Sequence, residues 1–107
     1  MRFTPSALPH PRTGRIWRGV RLHVTDPVAF RPAATTVHVL AETRDLYGSW
    51  LRFRVPRRGS ARFDVVWGTS QLRLAIRRGV QAERIVARWE VDLRRFERLR
   101  RPFLLYP

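Results

Sequence analysis

The sequence predicts an α+β fold, a small sheet of two or three short strands packed against about three helices, with a long C-terminal helix. Three observations lead there. The runs "GVRLHV" and "WLRFRV" alternate apolar and polar residues, as half-buried strands do. Ile85, Trp89, Leu93 and Phe96 recur at steps of 4, 4 and 3, which is one face of a helix. Gly48, Pro56, Gly79 and Pro102 stand where these patterns stop.

The elements follow in order. Residues 1–15 carry Pro5, Pro9, Pro11 and Gly14 without an apolar period, and they read as an irregular leader. Residues 16–107 read as one domain. In "GVRLHV", Val20, Leu22 and Val24 point one way and Arg21 and His23 the other. Asp26-Pro27 is a helix-start signature, because the carboxylate accepts from free backbone N–H groups and proline suits the first helical position. Arg31-Pro32 ends that turn, since a residue before proline avoids the helical region. A helix is expected from Ala33 to Tyr47, with Val37, Leu40 and Ala41 on its apolar face and Gly48 as its stop. "WLRFRV" is expected as a second strand, with Leu51, Phe53 and Val55 on one face. "FDVVWG" reads as one helical turn or a brief strand. "TSQLRLAIRRG" reads as a helix with Thr69 or Ser70 as its cap, Leu72, Ala75 and Ile76 as its buried face and Gly79 as its stop. The last helix is expected from about Gln81 to Arg101, and the apolar tail "FLLYP" must dock somewhere.

Composition narrows the classes of function. The chain has 107 residues and no cysteine, so disulfides and cysteine-based metal or nucleophile sites are excluded. No apolar run approaches the roughly 18 residues that span a bilayer. The N-terminal stretch lacks the apolar core of a secretory signal, so the chain as written is expected in the cytoplasm. All 22 basic residues are arginine, and they face 8 acidic ones for a net charge of +14. GC-rich coding favours such an arginine bias, yet the resulting field attracts polyanions whatever its origin. The arginines are spread along the whole chain rather than gathered in one arm.

Four constellations bear on chemistry. Trp67 and Trp89 sit in apolar patterns, so core packing is the better reading than a stacking surface for nucleic acid. His10, His23 and His38 lack ligand spacing, and no metal or cofactor is expected. Among the carboxylates, Asp26 and Asp64 read as helix caps, and Glu90 and Asp92 as helix-surface partners of Arg94 and Arg88. No acid–base pair of the kind glycosidases need is visible. The last helix has the apolar and charged residues of a membrane-surface helix, but core use is the expected role of its stripe.

Four pieces in register then carry a resemblance. "FTPS", "GVRLHVTDPVAFRP", "RFDVVWGTSQLRLAI" and "ERIVARWEVDLRRFERLRRPFLLYP" resemble the C-terminal part of exo-β-N-acetylmuramidases of the NamZ type, from Phe3 to Tyr106. The comparable family pieces read approximately F-T-P, G-V-x-I-H-V-T-D-x-x-x-F-x-P, F-D-x-L-x-G-T-D-x-L-R and I-x-x-x-W-x-x-x-L-x-x-F-x-x-x-R-x-x-Y-L-L-Y. The resemblance implies a C-terminal α+β domain that accompanies a larger Rossmann-like domain. It also implies removal of terminal N-acetylmuramic acid from peptidoglycan fragments, in a cleft between the two, with the best-supported catalytic carboxylate on the larger domain.

Three departures stand out: Gly68-Thr69-Ser70 replaces Gly-Thr-Asp, "GRIWRG" lacks the cysteine many members place there, and the segment between Trp50 and Phe63 is short and arginine-rich. The expectation is therefore a stand-alone or truncated cleft-forming domain, inactive as a glycosidase alone, whose partner is a Rossmann-like domain on a separate chain. Its expected sugar contacts are Arg21, His23 and Arg31, because a planar guanidinium suits the lactyl carboxylate of muramic acid. Asp26 and Ser70 are expected as structural caps. The competing expectation is a small arginine-rich protein that binds nucleic acid or another polyanion.

Overall fold

A computed structural model describes residues 1–105 of the chain. The class is α+β, with one two-stranded antiparallel sheet and four helices, the last one long. The chain divides into two compact units at Arg31 and Pro32.

The first unit is a β-hairpin. Strand β1 (Arg2–Pro9) pairs with β2 (Ile16–His23), from Arg2 opposite His23 to Pro9 opposite Ile16. This corrects the expected irregular leader. It also divides the expected single domain, because β2 pairs with that leader. The prolines that argued against a strand are harmless at their spacing. N–H groups alternate in direction along a strand, so Pro5 and Pro9 lack theirs on the same edge, and a two-stranded sheet leaves one edge of each strand unpaired. The loop between the strands closes through His10 N–H to the Arg15 carbonyl at 2.8 Å and Gly14 N–H to the His10 carbonyl at 2.9 Å. Gly14 takes a left-handed φ of 65°, which a glycine adopts without a side-chain clash.

After β2, the Asp26 carboxylate accepts from the N–H groups of Val28 and Ala29 at 2.9 and 3.1 Å. The bonds expected of Asp26 are present, but they close a turn, and no helix begins there. The helix starts instead at Pro32, the residue that was expected to end that turn.

The second unit is helical. Helix α1 (Pro32–Tyr47) begins on a proline, whose fixed φ and missing N–H cost nothing in the first turn. Helix α2 (Arg62–Trp67) is the short form of "FDVVWG" and ends at Gly68, with φ 80°. Helix α3 (Gln71–Arg77) ends where Gly79 N–H bonds the Ile76 carbonyl and Val80 N–H bonds the Ala75 carbonyl, both at 3.1 Å. Ser70 precedes α3 but makes no capping bond from its side chain; Thr69 Oγ1 accepts from Gln71 N–H at 3.2 Å. Helix α4 (Ala82–Arg100) runs into a 3₁₀ turn, Arg101–Phe103.

The core sits where α1, α3 and α4 meet. Val37 and Ala41 of α1, Leu72 and Ile76 of α3, and Ala82 and Ile85 of α4 form its buried centre. A row of half-buried rings lies against it. Phe53 meets Phe63 edge-on at 4.9 Å, Phe63 stacks on Trp67 at 6.0 Å, and Trp67 tilts onto Trp89 at 5.7 Å. Trp67 and Trp89 therefore serve packing, as their apolar patterns indicated.

Two expectations fail here for physical reasons. "WLRFRV" is not a strand. Leu51 and Phe53 do turn toward the helices and Arg52 and Arg54 away, but no neighbouring strand takes up the backbone hydrogen bonds. Alternation reported a half-buried extended segment, and only a partner strand makes such a segment part of a sheet. The stripe on α4 also splits. Ile85 is buried and Trp89 half-buried, whereas Leu93 and Phe96 are 55% and 57% exposed, because α4 runs on past the other helices' core residues. Phe103 and Leu105 are 82% and 90% exposed, so the described part of the tail is not docked; Tyr106 and Pro107 lie outside the described residues.

Candidate functional site

The hairpin register sorts its side chains by face. Residues directly opposite each other point to the same side, and the side alternates along each strand. One face carries Phe3, Pro5 and Ala7 opposite Leu22, Val20 and Arg18. The other carries Arg2, Thr4 and Ser6 opposite His23, Arg21 and Gly19. Arg21 and His23 thus share a face with two hydroxyls and a second arginine, and Leu8 opposite Trp17 completes that face at the loop end. Gly19 leaves the ground beside Ser6 without a side chain.

The geometry on this face is specific at one point. Thr4 Oγ1 and His23 Nε2 are hydrogen-bonded at 2.8 Å, across the strands and one step along. Both residues are half-buried. The bond fixes the imidazole plane and uses Nε2, leaving Nδ1 for another partner. At the loop end, the His10 ring lies 4.4 Å from the Trp17 ring, tilted by 43°. His10 Nδ1 takes part in a 2.9 Å bond with Thr13 Oγ1 and accepts from Thr13 N–H at 3.2 Å.

Thr4 belongs to the segment expected as a leader, and the prolines around it hid it. The available signals were the short alternation of Phe3, Thr4, Pro5 and Ser6 and the place of the same four residues among the motif pieces. Arg31 is placed apart from this face, on neither strand, directly before α1. The hydroxyls, guanidinium and imidazole can hydrogen-bond a polyol and pair with a carboxylate. They hold no pair of carboxylates for acid–base hydrolysis.

The acidic residues serve elsewhere. Asp64 was expected as a cap, but its carboxylate is gripped by Arg73, with Nε at 2.8 Å from Oδ1 and Nη2 at 2.7 Å from Oδ2. The hydrogen bonds from Arg73 hold the Asp64 carboxyl below its ordinary range, against the opposing effect of burial. Asp45 is likewise lowered by its bond from Arg44, whose own pKa is raised by that bond. His38 Nδ1 approaches Glu83 Oε1 at 3.9 Å, between α1 and α4. Among the described residues no group of histidines and carboxylates is arranged to hold a metal ion, and no helix is long and apolar enough to cross a membrane.

Comparison with known proteins bears on the whole chain. Residues 1–106 match the family described as exo-beta-N-acetylmuramidase NamZ, C-terminal. The chain is 31% identical over 104 residues to the peptidoglycan beta-N-acetylmuramidase NamZ of Bacillus subtilis strain 168. The match takes in 97% of this chain and 24% of that relative, so the chain spans about a quarter of the relative's length. No solved structure matches it significantly. The four motif pieces, the α+β elements that carry them and the match over residues 1–106 lead to one assignment: the chain belongs to the NamZ C-terminal family.

Proposed function

We propose that this chain is a muramic-acid-handling domain, non-catalytic by itself, which completes a cleft with a larger Rossmann-like domain that carries the reactive carboxylate. Together they would remove terminal N-acetylmuramic acid from peptidoglycan fragments, the reaction class to which the curated relative's name points. The observation that carries this reading is the polar hairpin face. It sets Arg21 and His23 beside Thr4 within a chain whose family match extends over both strands. Arg21 is assigned to the lactyl carboxylate, and His23, oriented by Thr4, to a sugar hydroxyl. Arg31 is retained as a second guanidinium at the mouth of the cleft.

The test is an NMR titration of the chain with N-acetylmuramic acid, read at the arginine Nε and histidine ring signals. Shifts at Arg21 and His23 that fade in Arg21→Gln support the proposal. An unchanged spectrum, or equal shifts with N-acetylglucosamine, which lacks the lactyl carboxylate, sinks it. The rival reading as a general polyanion binder predicts affinity that collapses steeply with salt and shows no sugar preference.

A further inference from the structure

The second half of α4 has no role in the core. Arg94, Arg98 and Arg101 follow one another at i, i+4 and i+7, so they share one side of the helix. With Val91 and Leu104 they line an open groove of about 520 Å³ along the end of α4 and the Arg101–Phe103 turn. Glu97 also lines it, yet residues 91–105 hold five arginines against two carboxylates. Beside this basic groove the same segment exposes Phe96, Phe103 and Leu105. The Arg100 guanidinium lies 6.0 Å from the centre of the Phe96 ring, so charge and apolar surface are interleaved.

We propose that residues 91–105 dock on an anionic lipid surface, with the arginine groove taking headgroup phosphates and the neighbouring apolar side chains entering the interface. Charge complementarity supports an anionic partner, since guanidinium forks match phosphate oxygens. The apolar side chains distinguish a lipid surface from a nucleic acid. Among the described residues no aromatic ring lines the groove, whereas a single-strand binder stacks bases on rings along its basic track. A second copy of this segment is disfavoured, because its own arginines would meet these. The inference rests on α4 alone and is independent of the sugar reading of the hairpin.

Vesicle co-sedimentation of the full chain tests it, with phosphatidylcholine vesicles compared with phosphatidylcholine–phosphatidylglycerol vesicles. Binding is expected only to the anionic ones. The triple variant Arg94→Gln/Arg98→Gln/Arg101→Gln should weaken it by about 100-fold. A charge-matched control, Arg52→Gln/Arg54→Gln/Arg57→Gln, should change it far less. In Phe103→Trp the new indole should shift to the blue on vesicle binding and be quenched by brominated lipid. Equal losses in the two triple variants would mean diffuse charge alone and overturn the proposal. An unquenched Phe103→Trp indole would also overturn it. So would binding to polyuridylate by the groove without binding to vesicles. All these positions are exposed, so each variant should keep the helical circular dichroism spectrum of the parent chain, which is measured alongside.

Discussion

Arg73 and Asp64 form a two-pronged ion pair between α3 and α2, with both side chains about nine-tenths shielded from solvent. It ties together the two halves of the motif piece "RFDVVWGTSQLRLAI" across the left-handed Gly68. The pair orients two short helices that are too small to hold their positions by their own backbone bonds.

Asp64→Asn should lower the melting temperature by several degrees at neutral pH, because it leaves the Arg73 guanidinium shielded without its counter-charge. The pH dependence has a definite sign. The folded-state pKa of Asp64 lies below the unfolded value, so its contribution is complete above about pH 4 and is lost as pH falls through the lowered folded value. Thermal melts of both proteins as a function of pH should therefore converge in acid. A difference that persists unchanged at low pH would assign the effect to packing.

Ile76→Ala should destabilise the helical unit by about 2–5 kcal/mol. Ile76 is completely buried at the meeting point of three helices, and the small core has few other large side chains at its centre. Urea unfolding followed by tryptophan fluorescence reads this directly, since Trp67 and Trp89 pack against the same core.

Arg44 on α1 donates from Nη1 to the carbonyls of Ile76 and Val80 at 3.2 and 2.9 Å, and from Nε and Nη2 to Asp45 at 2.7 and 2.9 Å. It thereby caps the end of α3 from another helix. Arg44→Met keeps the stem and removes the donors, and should cost about 1–2 kcal/mol. Amide hydrogen exchange should show the loss at Gly79 and Val80 first. Uniform loss across α1 would contradict the capping role.

Thr4→Val should free His23 Nε2 without unfolding the hairpin. The measurement is the pair of imidazole nitrogen shifts, which report the tautomer and its hydrogen bonds. Unchanged ring shifts would mean that the 2.8 Å bond does not orient this imidazole in solution.

The hairpin should exchange its amide hydrogens far faster than α1 and α3. A lone two-stranded ribbon is marginal in water, and no side chain in residues 1–31 is buried. Protection in β2 equal to that around Val37 would point to a partner covering the hairpin.

Much of the helical unit was legible in the residues. Gly48 and Gly79 marked the ends of their helices, and the apolar spacing of Val37, Ala41, Leu72, Ile76 and Ile85 named most of the core centre. The candidate site was legible only in half. Arg21 and His23 were visible on one face of β2, but Thr4 was not, because a strand built with Pro5 and Pro9 is recognised only when its partner is seen. The converse error occurred at Leu51–Val55, where the alternation was real and no partner strand was present.

The class of fold, the family resemblance and the ends of α1 and α4 could be read from the residues alone, because local propensity, periodicity and motif order are written in neighbouring positions. Contacts between distant segments settled which extended segments became a sheet, that Asp64 is spent on Arg73 rather than on a helix end, and that α4 continues beyond its core with Leu93 and Phe96 uncovered. Those outcomes depend on partners distant in the chain, and a single strand of letters does not state which distant groups will meet.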